Sequence, residues 1–332
     1  VQGSVDFTSL PVKAGENIFT ASVASTMYYK SADDFEIEVS NFDVEEPSGK
    51  IAFRPHFVFS GCGNKYGFVF SKIGYFDVAS ALDGKGNLIW GLTDGTLDSL
   101  LVDVKLKSLI SSERVDLNAS IQNPQLLPLS VENLMNDFYI SAQGTLKNFC
   151  SGHFLTEQNK DNVINADFSA TGTVKNPLVN LKLNKSSINA AGFPLTAFGN
   201  FVYDDRGLSV TDSQIKWAFL NVENITGGFK PEECTGSLTA KVSGELCKLT
   251  FNVPLQVNLM SLTPGNNSFS NLMAQIKSDK MSGTFFPGNE KLDFVVTKND
   301  SLINVVSAGG KGIRASVHGS SFEASSGIDS PL

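Results

Sequence analysis

The chain has 332 residues, 41% of them hydrophobic and only 18% charged. It is too apolar for a disordered tail and long enough for one large core or two ordinary domains. The net charge of −8, with 22 Lys and 4 Arg scattered and no basic block, argues against a nucleic-acid partner, because phosphate contacts need clustered positive charge. Phe is over-represented, at 25 against 6 Tyr and 2 Trp. Phe brings apolar area without a polar handle, which points to a purely greasy interior, either a core or a groove for acyl chains.

In chain order, the dominant signal is period-2 alternation. Phe35, Ile37 and Val39 alternate with Glu36, Glu38 and Ser40, the mark of a strand with one buried and one wet face. Asp83-Gly84 reads as a turn. The apolar stretch Leu97 to Ile110 is read as a strand on the alternation of Val102, Val104 and Leu106. Val115, Leu117, Ala119 and Ile121 form the next strand, closed by a turn at Asn123-Pro124. After Pro128, the residues Val131, Leu134, Met135 and Phe138 have helical spacing and predict a short helix.

An approximate repeat follows. Ala142 to Phe149 recurs 28 residues later as Ala170 to Pro177, with a looser version at Asn118 to Pro124. Each copy is expected to end a strand at an Asn-Pro or Asn-Phe turn, and repeated strand–turn units favour an elongated protein. Between 163 and 222 the inward candidates are Ile164, Phe168, Val174, Leu181, Leu183, Phe201, Tyr203, Leu208, Val210, Ile215, Trp217 and Phe219.

Turns are expected at Asn176-Pro177, Asp204 to Gly207, Gly227-Gly228, Pro264-Gly265, Pro287-Gly288 and Gly309-Gly310. Leu238, Ala240 and Val242 continue the alternation. The longest run is Leu249, Phe251, Val253, Leu255, Val257 and Leu259, in which Pro254 marks an edge or a bulge. Phe269, Leu272, Met273 and Ile276 have helical spacing behind Ser268, a candidate N-cap, and predict a second short helix. The fold class that follows is all-β with one or two short helices. No linker cuts the chain, so residues 1–332 read as a single elongated β-repeat segment, with 170–229 its best-defined unit.

Chemistry is sparse. His56, His153 and His318 are each alone in sequence, without metal spacing. No nucleophile elbow, phosphate loop or dinucleotide fingerprint occurs. Cys62 between Gly61 and Gly63 has no base motif beside it, and the acidic pairs lack the separation that glycoside hydrolysis needs. The expectation is a non-enzyme with no cofactor, no metal and no catalytic residue. Cys234 and Cys247 flank a strand and a Gly-rich turn, so a disulfide between neighbouring strands and free thiols both remain open. A closed barrel or sandwich would bury the apolar face, whereas an open curved sheet would offer it to lipid; the patterning does not choose.

Residues 170–229 carry a resemblance. Ala-Thr-Gly172-Thr-Val-Lys-Asn-Pro177 is followed by Leu181-Lys-Leu183, Gly192-Phe193-Pro194-Leu195, Gly199-Asn-Phe201-Val-Tyr203, Leu208-Ser-Val210 and Gly227-Gly228-Phe229. This pattern resembles the repeat style of the TamB group in the AsmA-like family, over 60 residues, with looser echoes elsewhere. The resemblance implies a β-taco or half-pipe with an apolar concave face, working in the periplasm of Gram-negative bacteria. It would carry phospholipid acyl chains between inner and outer membranes.

The groove candidates are Phe168, Leu181, Leu183, Phe201, Tyr203, Val210, Ile215, Trp217, Phe219, Phe251 and Leu255. Phospholipids or other acyl lipids and an outer-membrane β-barrel protein are the implied partners. No signal peptide or apolar span of about 18 residues is present. An inner-membrane anchor would lie outside this chain, whose ends, without an initiator Met, read as cuts or processed termini. The alternatives are a structural or adhesive β-solenoid or sandwich with a solid core, and an assembly factor for outer-membrane proteins.

Overall fold

A computed structural model describes residues 1–14, 17–48, 50–76, 81–109, 112–150, 162–190, 193–264, 269–286, 291–299, 302–307, 313–318 and 321–326. These residues are almost entirely β-strand, with one short helix. The chain divides into two compact units, Val1–Leu181 and Lys182–Leu332, a boundary inside the 170–229 segment.

The first unit contains β1 (Gln2–Ala14), β2 (Asn17–Ser31), β3 (Asp34–Glu45), β4 (Ile51–Phe53), β5 (His56–Cys62), β6 (Lys65–Lys72), β7 (Tyr75–Phe76), β8 (Ala81–Thr93), β9 (Thr96–Ser108), β10 (Arg114–Gln122), α1 (Val131–Asn136), β11 (Tyr139–Cys150) and β12 (Val163–Gly172). The strands form an open antiparallel meander in which neighbours in sequence are neighbours in the sheet. One hairpin is broken. The amino-terminal half of β3 pairs β5 while its far end pairs β4, and β8 likewise pairs β6 and then β7. The breaks fall at Arg54-Pro55 and Ile73-Gly74, where Arg54 N–H donates to Gly74 O at 2.7 Å. The Arg54 guanidinium holds the Asp43 carboxylate through two bonds of 2.6 and 3.0 Å.

β13 (Pro177–Ala190) straddles the boundary. The second unit continues with β14 (Phe193–Asp204), β15 (Gly207–Trp217), β16 (Leu220–Lys230), β17 (Thr235–Leu246), β18 (Leu249–Pro264), β19 (Phe269–Ser278), β20 (Leu292–Asn299), β21 (Leu302–Ser307), β22 (Ile313–His318) and β23 (Ser321–Ser326). From β14 onward these also form an open antiparallel meander.

Each sheet is a single layer: close backbone contacts run between hydrogen-bonded neighbours. Among the described residues Phe138 is the one large side chain that is fully buried. The apolar faces of the sheets are therefore not closed over a solid core.

Several expectations are corrected. Residues 269–276 are strand β19, not a helix: Val257, Leu259 and Leu262 of β18 pair with Ile276, Ala274 and Leu272, and this pairing overrides a local pattern that fits both periods. Asp83-Gly84 and Gly227-Gly228 lie inside β8 and β16 rather than in turns. Ala142 to Phe149 lies within β11 instead of ending it, with a bulge between Leu146 and Phe149. The repeat does have a structural consequence, because Ala119, Ala142 and Ala170 are direct cross-strand partners in one row.

Other readings hold. α1 forms at Val131–Asn136, with Ser130 accepting from Asn133 N–H as its N-cap. Leu97–Ile110 is strand as far as Ser108, and Asp204 to Gly207 is a hairpin turn. Pro254 pairs Lys241 of β17, while pairing with β19 stops at Gln256, so the proline sits at a local edge where no partner needs its missing N–H. The expected turns at Pro287-Gly288 and Gly309-Gly310, and Gly265 of the Pro264-Gly265 turn, lie outside the described residues, as does His153.

Candidate lipid-binding face

In the first unit the registers align apolar residues into rows that cross many strands on one face. One row runs Met27, Ile37, Phe59, Phe68, Leu88, Val102, Ala119, Ala142 and Ala170. The next, two residues along, runs Val39, Phe57, Phe70, Gly86, Val104, Leu117, Gly144 and Phe168. A third runs Tyr29, Phe35, Gly61, Tyr66, Trp90, Leu100, Ile121 and Ile140. The opposite face is mainly polar, with Glu36, Ser60, Asn87, Asp103, Asn118, Gln143 and Ser169, and also carries Val58, Val69, Ile89 and Leu101.

The second unit repeats the arrangement. Leu195, Trp217, Leu220, Gly244 and Phe251 form one row, and Phe201, Val210, Gly227, Leu238, Val257, Ile276 and Phe294 another.

Bulges keep these faces pure. β15 and β16 each gain an extra residue, between Val210 and Ser213 and between Glu223 and Thr226. Asp212 and Asn224 take positive φ of 49° and 54° there. Each bulge falls where the hydrophobic parity switches, from Val210 to Ile215 and Trp217, and from Val222 to Ile225 and Phe229. The residues after the two left-handed positions, Ser213 and Ile225, pair with each other and are 4% and 6% exposed. A bulge bends its strand and increases the local twist, so the two adjacent bulges bend the second sheet along one line.

Five Phe residues on the apolar faces pair directly with glycine: Phe35 with Gly61, Phe70 with Gly86, Phe168 with Gly144, Phe229 with Gly236 and Phe251 with Gly244. A methyl group at Gly61 would lie 2.5 Å from the Phe35 ring, and at Gly86, Gly144 and Gly244 it would lie 2.6–2.7 Å from Phe70, Phe168 and Phe251. The rings thus lie down across the glycine strand, fill the gap left by the missing side chain, and give the apolar face a low, continuous surface.

The candidates from sequence are placed as follows. Phe168 is on the first unit's apolar face, and Phe201, Tyr203, Val210, Ile215, Trp217, Phe251 and Leu255 are on that of the second. Leu181 and Leu183 are half-buried on β13. Phe219 is a correction: it sits in the β15–β16 turn behind Ala218 at positive φ, 47% exposed, because the strand ends at Trp217. Val174, read as inward, lies in the bend after β12.

Cys234 and Cys247 are free thiols, not a disulfide. They flank opposite ends of the twelve-residue strand β17, about 40 Å apart at roughly 3.3 Å per residue.

Sequence reasoning missed the aromatic cluster of the first unit. Phe35 and Phe59 are 5.0 Å apart between ring centroids, Phe57 and Phe68 5.0 Å, and Phe59 and Tyr66 flank Trp90 at 6.0 and 5.8 Å with near-parallel planes. The signal was present in Phe57/Phe59 and Phe68/Phe70, two period-2 pairs flanking a turn. All seven aromatic residues of the cluster (Phe35, Phe57, Phe59, Tyr66, Phe68, Phe70 and Trp90) are half-buried, each covered sideways by its neighbours.

His56 Nε2 is 3.3 Å from Glu38 Oε1. Asp204, in the β14–β15 turn, is held below the usual carboxylate range by hydrogen bonds from the Arg206 guanidinium and backbone N–H. Among the described residues no three His, Cys, Asp or Glu side chains gather as a metal site, and no helix is long and apolar enough to cross a membrane. No known family model, curated protein or solved structure matches this chain.

Proposed function

We propose that the chain is a non-enzymatic lipid-binding protein whose apolar sheet faces take up phospholipid acyl chains and let them move across the rows. The observation that carries this reading is the state of those faces. Large side chains in register over up to nine strands are half-exposed, and the rings are laid flat. In water, such a face has a strong drive to be covered, at roughly 25 cal/mol per Å² of apolar surface, and contiguous apolar patches of this extent mark interaction sites.

An acyl chain suits the surface. Each CH₂ moved from water onto it contributes up to about 0.8 kcal/mol, which offsets the lost bilayer contacts. Along any one row the chain meets apolar side chains on successive strands, so it can shift from strand to strand without leaving apolar surface. The likeness of residues 170–229 to the TamB group of the AsmA-like family supports the same role, with transfer between inner and outer membranes as its setting.

The test uses a phospholipid carrying a fluorophore on its acyl chain. Phe57→Asp and Phe201→Asp each place a charge on an apolar face and are expected to weaken binding about tenfold or more. Ser209→Asp, on the opposite face, leaves it within about twofold. Equal binding by all three variants, with circular dichroism unchanged, rejects the reading.

A further inference from the structure

The apolar face of the first unit is not uniform from end to end. The row nearest the β2–β3 and β5–β6 turns, separated from the β8–β9 turn by the Leu92–Leu97 pair, holds Tyr29, Phe35, Tyr66 and Trp90. Tyr66 and Trp90 are stacked with planes 19° apart, and Phe35 lies 6.3 Å from Tyr66. Deeper rows on the same strands hold Phe57, Phe59, Phe68, Phe70 and Leu88, which have no polar atom. Tyr and Trp pair an apolar body with a polar tip and favour the boundary between grease and water.

The turns at this end carry the carboxylates of Asp33 and, beyond the Leu92–Leu97 pair, Asp94; the nearby Lys30 is paired with Asp34 at 2.8 Å. Lys65, the nearest lysine to the Tyr66 ring in sequence, alternates with it and lies on the opposite face. The apolar rows on β9, from Leu100 to Leu106, extend about 20 Å at 3.3 Å per residue, enough for the hydrocarbon thickness of one leaflet, about 15 Å.

From this polarity we infer a bound orientation and a headgroup class, an inference that rests on the lipid-binding reading above. A phospholipid lies along the strands with its acyl chains over Phe59, Phe68, Phe57 and Phe70. Its headgroup, carrying a cationic amine, sits at the Tyr66–Trp90 lip. The aromatic faces attract a cation through their quadrupoles, and Asp33 and Asp94 complement its charge. An anionic headgroup would meet carboxylates at the same place.

The chain has two tryptophans, which makes the orientation measurable. Trp217→Phe in the full chain leaves Trp90 as reporter, and Trp90→Phe leaves Trp217. Each variant is mixed at low salt with vesicles of phosphatidylethanolamine brominated at carbons 6 and 7, or at carbons 11 and 12, and with the matching phosphatidylglycerols. Trp90 emission is expected to fall at least twofold more with the bromines nearer the headgroup, and at severalfold lower concentration of the amine lipid.

Equal quenching by both bromine positions, or stronger quenching by the distal one, overturns the orientation. Phosphatidylglycerol matching or exceeding the amine lipid overturns the headgroup assignment. Quenching of Trp217 without Trp90 overturns this lip as a headgroup site while the lipid-binding reading stands, as does a dimer in sedimentation whose Trp90 stays shielded. No quenching of either reporter by any lipid rejects the lipid-binding reading itself.

Discussion

At the scale of single residues, the Phe–Gly pairs set the surface that a ligand would meet. A methyl group added at Gly86 would meet Asp103 O and the Phe70 ring, and one added at Gly144 would lie 2.6 Å from both Asp116 O and the Phe168 ring. A methyl group at either position must move backbone or ring. Gly86→Ala and Gly144→Ala are therefore expected to cost about 1–3 kcal/mol in urea unfolding. Gly3→Ala, with open space around the added Cβ, should stay within about 0.5 kcal/mol.

The pH response belongs to this scale too. The Asp204 carboxyl is depressed by Arg206, so the turn's contribution is fully present above the ordinary carboxylate pKa and is lost as pH falls through the folded value. Arg206→Gln should move the Asp204 titration upward in carboxylate NMR, and an unchanged Asp204 titration would contradict this. Strand residues were legible at this scale because alternation is a local signal. The glycine partners were not, since only the neighbouring strand shows that the missing side chain makes room for a ring.

At the scale of elements, the bulges decide which side chains reach the apolar face. A strict alternation starting from Leu208 fails after Val210, and the extra residue at Asp212 restores it. Deleting Asp212 should turn Ile215 and Trp217 to the polar face and Gln214 and Lys216 to the apolar one. The expected result is a lower unfolding midpoint and a shift in the environment of Trp217, read by its fluorescence in the Trp90→Phe background. Asp212→Gly, which accepts positive φ freely, should keep the midpoint, whereas Asp212→Val should lose about 1–2 kcal/mol.

The parity switches stand in the sequence at Val39 to Phe42, Leu146 to Phe149 and Val210 to Ile215, and each coincides with a register shift. The strand at 269–278 was misread because Leu272, Met273 and Ile276 fit a helix as well as an alternating strand. Its partners on β18 and β20, far away in sequence, decide the matter. α1 was legible because its Ser130 cap and its spacing are both local.

At the scale of the whole molecule, what alternation left open was whether the apolar face closes on itself. A sandwich and an open sheet share the same period, and the difference lies in what packs above the face, which no local pattern records. The structure answers for each unit with a single antiparallel layer whose large apolar residues remain half-exposed. A protein built this way keeps its fold through backbone ladders and sideways contacts between neighbouring side chains, and leaves much of its apolar side-chain surface partly exposed.

The most direct test is native mass spectrometry of the protein purified without detergent, with lipid extraction alongside. The account predicts phospholipid co-purifying with the wild-type chain and reduced by Phe201→Asp or Trp217→Lys while the β-sheet signal in circular dichroism persists. A folded, lipid-free protein that also refuses added phospholipid would contradict it.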